Sequence, residues 1–181
     1  MKNIVTLLFF TICLSAISQD GVLNNAYNRT SFSLNGEWNI IIDPYENGYY
    51  NYRYEAFDLT DPPSKNAYFT NTSPVDKTDL IEYDFDNSET LTVPGDWNTQ
   101  KDKLLYYEGS IWYKRSFDYS KEEATNRVFV YFGAANYQAD VYLNGRKLGR
   151  HIGGFTPFNF EVTDLLKDRG NFLVVKIDNK R

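Results

Sequence analysis

The fold is decided by residues 127–162, RVFVYFGAANYQADVYLNGRKLGRHIGGFTPFNFEV. Within them, residues 127–131 and 138–143 are rich in β-branched and aromatic side chains, a composition typical of strands. The pair Asn144-Gly145 follows the second run and favours a two-residue turn, because both positions of such a turn need a positive φ. The stretch therefore predicts a hairpin whose return strand covers residues 146–148.

The second run also indicates two faces of a strand, since successive side chains point to opposite sides. Ala139, Val141 and Leu143 point one way, and Gln138, Asp140 and Tyr142 point the other. We expect Asp140, and Glu161 further on, to be surface or strand-end charges. After the return strand, residues 151–158 hold paired glycines, a proline and two aromatics, which predicts a stiff, shaped loop.

The composition of the 181 residues is typical of an all-β domain. Aromatic residues make up 17%, with 15 Tyr and 13 Phe, and this content argues against disorder. The net charge is −5 and the sequence pI is about 4.9. Because no basic stripe is present, nucleic acid is not expected as a partner. The length suits a single domain.

The N-terminal segment, residues 1–18, predicts a signal peptide. Lys2 supplies a positive charge, and the apolar run 4–17 is shorter than the roughly 20 residues of a membrane span. Ala16-Ile17-Ser18 is a small-x-small cleavage site, so we expect an exported, periplasmic or extracellular chain that begins near Gln19 and has no membrane span. A membrane anchor or a buried strand is the alternative.

Cysteine chemistry is excluded from the expected mature chain. The single cysteine, Cys13, lies inside the predicted signal peptide. Without it, neither a disulfide nor a thiolate metal site can form. No metal-ligand spacing, phosphate-binding loop or Ser/His/Asp arrangement is present either, so we expect no metal and no cofactor.

Other runs with strand composition lie on both sides of a less regular region. They are residues 38–42, 91–93, 110–117 and 171–178. With the central stretch, the total is seven or eight short strands separated by turn signals, which predicts an antiparallel β-sandwich of the jelly-roll type. We interpret Trp38 as a core anchor, because large aromatics dominate core burial.

Residues 44–89 form a tyrosine-rich insert with little regular pattern. A loop of this length is usually functional or contains elements of its own. Two interpretations stay open. The tyrosines could present faces on which sugars stack, or they could pack as a lid over the sandwich, as buried aromatics more often do.

Five blocks carry a family resemblance in order: LNGEW, VPGDWN, YYEGSIWYKRSF, VYLNG and HIGGFTPFNFEVTDLL. Together they resemble the N-terminal, galactose-binding-domain-like sugar-binding domain of glycoside hydrolase family 2, over residues 33–178. The segment that begins at His151 is most similar to the β-glucuronidases of the family. The β-galactosidases often carry an aspartate at the position of Gly153, and no carboxylate stands there in this sequence.

The resemblance implies an accessory domain of a secreted retaining β-glycosidase, which supports the catalytic barrel and shapes one rim of its active site. The implied partners are a β-glycoside, possibly of a uronic acid, and the chain's own downstream catalytic domains. A stand-alone carbohydrate-binding module, a purely structural sandwich, and a β-galactosidase or β-mannosidase accessory domain are the alternatives.

Catalysis in this family uses two glutamates about 5 Å apart, carried on a barrel of about 250 residues. Only 163 of the 181 residues remain after the predicted signal peptide. The acid/base glutamate of the family follows an asparagine, and no Asn-Glu pair occurs here. We therefore expect these residues alone to be non-catalytic. Because the sequence ends at Arg181, directly after a strand, we expect a truncated product or an excised domain.

The resemblance gives six candidates for the substrate rim. They are Asp96, Trp97, His151, Gly153, Gly154 and Phe155. Asp96 stands where the galactosidases place an asparagine near the substrate, and a carboxylate there could accept hydrogen bonds from sugar hydroxyls. It could equally cap its own backbone turn. His151 is the sole histidine, and for it we favour structural hydrogen bonding in the loop over a role as a general base.

Overall fold

The computed structural model describes residues 21–76, 78–79, 83–120 and 126–180. The predicted signal peptide, residues 1–18, lies outside these ranges. The described chain contains eight strands and one short α-helix. They are β1 (Gly36–Asp43), β2 (Thr90–Val93), α1 (Trp97–Gln100), β3 (Ser110–Phe117), β4 (Phe129–Phe132), β5 (Gln138–Leu143), β6 (Arg146–Ile152), β7 (Phe158–Glu161) and β8 (Asn171–Asp178).

All strand pairs are antiparallel, which confirms the predicted all-β class. Six strands form one sheet in the order β2-β1-β3-β8-β5-β6, and β4 pairs with β7 in a separate two-stranded sheet. No helix of the described residues is long and apolar enough to cross a membrane.

The hairpin of β5 and β6 has the predicted turn. Asn144 has φ 52° and Gly145 has φ 81°, so both turn residues are in the left-handed region. One expectation about its surroundings is wrong. The return strand runs on to Ile152, which places His151 in a strand and not in a loop. The run that begins at residue 127 supplies strand β4, which pairs with β7.

The inner face of the six-stranded sheet forms the main core. Leu173, Val175 and Ile177 of β8 point into it, as does Trp38, the predicted core anchor, which is buried. Other members come from β3, β5 and the layer that covers them. They are Ile111, Tyr113, Ala139, Val141, Leu143, Phe158, Val162, Trp97 and Leu104. The covering layer consists of the β4–β7 sheet and the segment that contains α1.

The outer face of the same sheet is also buried, because the tyrosine-rich insert lies on it. Phe69 of the insert stacks on Tyr142 of β5 with ring centroids 4.2 Å apart. Trp112 of β3 is fully buried beside them. Strands covered on both faces usually read as continuous apolar runs, but β5 keeps two polar side chains, Gln138 and Asp140, on its covered outer face. The lid interpretation therefore describes this part of the insert.

The expectation that Asp140 is a surface or strand-end charge is wrong. It is fully buried on the outer face of β5, beneath the insert. Its carboxylate accepts hydrogen bonds from Arg150 Nε at 2.7 Å and from Gln138 Nε2 at 3.1 Å. A buried charge is tolerated only where it is paired and hydrogen-bonded. Glu161, by contrast, ends β7 as predicted and pairs with Arg127.

Ion pairs attach the insert to the sheet, with carboxylates on the insert and lysines on the strands. The pairs are Lys114–Asp86 at 2.6 Å, Lys176–Glu46 at 2.5 Å and Lys147–Asp58 at 2.5 Å. The Lys114 and Lys176 side chains are almost completely buried. Because a buried ammonium needs a partner, the acidic insert and the basic strand face require each other.

Candidate functional site

Five strands of the six-stranded sheet have a terminus at the same end of the sheet. Asp43 is opposite Ser110, Ser110 is opposite Asp178, Asp178 is opposite Gln138, and Gln138 is opposite Ile152. The antiparallel register thus brings the end of β6 and the loop after it beside the start of β5. Four of the six candidate residues, His151, Gly153, Gly154 and Phe155, lie on this loop or on the last residues of β6.

The loop after β6 is held against the loop between β4 and β5. Gly153 N donates to Tyr137 O at 2.8 Å, and Tyr137 N donates to Asp178 O at 3.0 Å. Gly153 has φ 139°, which favours glycine. A Cβ on Gly154 would stand 2.7 Å from Asn136 Oδ1, so a larger residue there would require the Asn136 side chain to shift. The paired glycines therefore serve close packing of two loops, and the prediction of a stiff loop agrees with this geometry for residues 153–157.

His151 has a packed, hydrogen-bonded environment. Its Nε2 lies 3.1 Å from Thr156 Oγ1, and its ring stacks on Phe158 with centroids 4.1 Å apart. Phe158 stacks in turn on Phe132 at 4.7 Å. These contacts orient the imidazole across the base of the loop and agree with the structural interpretation of His151. At the tip, Phe155 is 91% exposed and leaves a large apolar ring available to a partner surface.

Asp96 and Trp97 lie at the start of α1. The Asp96 carboxylate accepts from Asn98 N at 3.0 Å, so it caps its own helix, and this is the self-capping interpretation. Trp97 is 6% exposed and packs against Tyr113 at 6.5 Å between centroids. Because its ring is in the core, its contribution to a substrate surface could only be indirect, through what it positions.

A hydrogen-bonded path connects the two groups of candidates. Trp97 Nε1 donates to Tyr107 O at 3.4 Å, and Asn179 Nδ2 donates to the same oxygen at 3.3 Å. Asn179 directly follows Asp178, whose carbonyl accepts from Tyr137. The segment with α1 and the loop after β6 are therefore joined through the end of β8.

Tyr107 is a member of this end of the sandwich that the sequence reasoning missed. Its hydroxyl donates to Ser110 O at 2.9 Å. Burial, with the nearby charges of Asp43, Asp178 and Glu46, raises the pKa of Tyr107 to about 12. The phenol therefore stays a neutral donor throughout the physiological pH range. A tyrosine two residues before a glycine that precedes a strand was the available signal, but the same pattern occurs at many strand entries.

Residues 91–181, half of the chain, match the model of the family described as glycosyl hydrolase 2 galactose-binding domain-like. The chain belongs to this family. The matched range includes every candidate rim residue and begins after the tyrosine-rich insert. The resemblance in the sequence is thereby confirmed, and so is the galactose-binding-domain-like sandwich.

Relatives with this domain include two curated bacterial enzymes. A β-glucuronidase of Formosa agariphila is 38% identical over 76 residues, which are 41% of this chain and 8% of that enzyme. A β-galactosidase of Thermoanaerobacter pseudethanolicus is 30% identical over 119 residues, which are 59% of this chain and 15% of that enzyme. The chain thus spans a small part of the length of the curated relatives that it matches.

Among solved structures, the β-glucuronidase of Ruminococcus gnavus in complex with D-glucaro 1,5-lactone superposes with a TM-score of 0.61. It is 25% identical, and the match covers 88% of this chain and 23% of that enzyme. The chain is therefore a β-glucuronidase-like N-terminal domain of glycoside hydrolase family 2.

Proposed function

We propose that this chain is the accessory domain of an exported retaining β-glucuronidase, in which it supports the catalytic barrel and forms one rim of the active site. The observation that carries the proposal is the membership of residues 91–181 in the glycosyl hydrolase 2 family. The small share of each relative that the domain covers supports a partner domain elsewhere in the same enzyme.

The rim role is assigned to the loop after β6. Its backbone is held by Tyr137 and by the Gly154–Asn136 approach, while Phe155 projects into solvent. A large exposed ring on a rigid loop costs little conformational entropy when it meets a substrate or a neighbouring domain. Because such a loop is already ordered, it can position a substrate without the entropic cost of ordering the loop during the reaction.

The preferred substrate is a β-linked glucuronide. The relatives named β-glucuronidase and the solved β-glucuronidases support this choice. A β-galactoside is the second candidate, because the Thermoanaerobacter relative carries the name β-galactosidase. Gly153, where the galactosidases often carry an aspartate, favours the glucuronide.

The rim role is tested in an enzyme that joins this chain to the catalytic domains encoded downstream of it. Phe155→Ala removes an exposed ring, so we expect unchanged thermal stability and a fall of about tenfold in kcat/KM for nitrophenyl β-glucuronide. Tyr27→Ala is the matched control, since that ring is 89% exposed but lies in the segment before β1, away from the loop after β6 and from the insert. Equal kcat/KM values for both variants and the wild type would contradict the rim role.

Export is the second part of the proposal, based on residues 1–18. The mature protein from its native host should begin near Gln19. N-terminal sequencing would measure this, and Met1 retained on a soluble cytoplasmic protein would contradict it.

A further inference from the structure

The insert contains a cleft of its own, with a volume of about 1170 Å³. It is lined by residues of the range 45–72 together with Ile41, Tyr83 and Phe85. Six tyrosines line it: Tyr45, Tyr50, Tyr52, Tyr54, Tyr68 and Tyr83. The volume exceeds the roughly 300–1,000 Å³ of pockets for small ligands. The cleft therefore suits an extended ligand of several units.

The tyrosines of the cleft divide into supporting and exposed rings. Tyr45, Tyr52 and Tyr54 are 81–85% exposed. Tyr54 leans on the half-buried Tyr50 with centroids 6.4 Å apart, and Tyr83 meets Tyr68 at 5.2 Å. An exposed ring supported by a second ring loses less freedom on binding than one that stands alone. The lid interpretation accounts for the buried part of the insert but not for these rings.

The turn at residues 51–55 holds two of the exposed rings in place. Asn51 closes this turn, because its Oδ1 accepts from Arg53 N at 2.8 Å and from Glu55 N at 3.0 Å. Tyr54 has φ 58°, a left-handed conformation that is unusual for a bulky side chain. Such strain of roughly 1–3 kcal/mol persists only where the surrounding structure enforces it, and it clusters at ligand-binding sites.

The remaining walls of the cleft are polar and nearly neutral. Asn47, Asn51, Asn66 and Asn71 bring amides to the lining, and Ser64, Thr60 and Thr72 bring hydroxyls. Only one carboxylate, Glu55, and one ammonium, Lys65, line the described cleft. Faces of aromatic rings with amide and hydroxyl groups between them match a pyranose chain, in which C–H faces alternate with hydroxyls.

We propose that the cleft in the insert binds a neutral oligosaccharide segment of a polysaccharide, at a site separate from the active-site rim. The insert lies outside the family match, which begins at Leu91. Binding at the cleft therefore depends on neither the substrate nor the position of the catalytic domain. Its effect rests on the proposed function: within a glycosidase, the cleft would hold the enzyme on a glycan whose bonds are cleaved elsewhere.

The 181-residue chain is tested by affinity electrophoresis through gels that contain a soluble neutral polysaccharide. Galactan, xylan, xyloglucan and mixed-linkage β-glucan are the neutral probes, and polygalacturonate is the acidic probe. We expect at least one neutral probe to retard the chain. The double variant Tyr52→Ala/Tyr54→Asn should bind that probe about tenfold more weakly, because two stacking rings are removed. Asparagine at position 54 tolerates the left-handed backbone, so the turn keeps its shape.

Tyr106→Ala is the control, since this ring is 91% exposed and does not line the cleft. It should bind like the wild type. Retardation by polygalacturonate alone, by none of the probes, or by a neutral probe equally for the wild type and the double variant would overturn the proposal. The Phe155→Ala variant should keep full retardation, so failure of the rim role and failure of the cleft are distinguishable.

Discussion

At the scale of single residues, the β5–β6 turn gives a direct test of backbone conformation. Gly145 has φ 81°, and a Cβ there would meet its nearest neighbour, Phe69 O, at an ordinary 3.9 Å. The cost of a side chain is therefore conformational and not steric. We expect Gly145→Val to lower the free energy of unfolding by more than about 1 kcal/mol. The urea midpoint measures the change.

Gly133→Val is the matched control for this turn, because nothing lies within 4 Å of a Cβ at that position and its φ is ordinary. Its urea midpoint should stay close to that of the wild type. An unchanged midpoint for Gly145→Val would show that the turn in solution is of another type.

Asp58 gives the test of a buried polar contact between insert and sheet. Its Oδ2 accepts from Tyr142 OH at 3.0 Å and from Lys147 Nζ at 2.5 Å. Asp58→Ala leaves the buried Tyr142 hydroxyl without its partner, while the half-exposed Lys147 can turn to water. We expect a loss of about 2 kcal/mol in the free energy of unfolding.

The pair Asp58→Ala and Tyr142→Phe separates this cost into its parts. In the double variant, neither the buried acceptor nor the buried hydroxyl is left alone, so the loss should be smaller than the sum of the two single losses. Additive losses in a thermal or urea titration would contradict a direct interaction.

At the scale of elements, the attachment of the insert should depend on pH. Burial raises the pKa of Glu46 and Asp58, but hydrogen bonds and charge from Lys176 and Lys147 outweigh it and lower both pKa values. The hydrogen bond from Lys114 lowers the pKa of Asp86. A carboxyl group with a lowered pKa stabilises the fold above its unfolded pKa, and this stability is lost as the pH falls through the folded pKa.

We therefore expect the insert to detach as the pH falls below the ordinary carboxyl pKa range, about 4, before the sheet unfolds. Limited proteolysis at neutral pH, and with an acid protease at a pH well below that range, measures this, with cleavage inside residues 44–89 at the lower pH. Glu46→Gln should flatten part of the pH dependence of stability. Equal protection of the insert at both pH values would show that the ion pairs do not hold it.

The same elements show what could be predicted from the sequence. The Asn144-Gly145 turn and the bounds of β3 depend on local preferences, and the structure confirms both. The pairing of β4 with β7, the extension of β6 to Ile152 and the burial of Asp140 depend on distant partners. No periodicity in the insert indicates that it covers the outer face of the sheet. The burial of β5 on both faces therefore could not be predicted from its alternating sequence.

At the scale of the whole molecule, we expect this domain to contribute binding and a separate catalytic domain to contribute hydrolysis. At one end of the sandwich, the described domain has the loop after β6, for which we propose the rim role, and it has a tyrosine-lined cleft in the insert on its outer face. Cleavage of a glycosidic bond by the retaining or inverting route needs two positioned carboxyl groups on either side of that bond. Of the candidate rim residues, only Asp96 is a carboxylate, and its oxygen caps α1.

We therefore expect the 181 residues alone to hydrolyse none of nitrophenyl β-glucuronide, β-galactoside or β-mannoside. Extension through a downstream catalytic barrel should restore turnover of the glucuronide, because the barrel supplies the acid/base and the nucleophile. Turnover by the purified chain that survives repurification and disappears in Asp96→Asn would contradict this. It would place a carboxylate mechanism inside the sandwich and require the Asp96 carboxylate to release its hydrogen bond from Asn98 N. A shift in the signal of the Asn98 amide would measure this release.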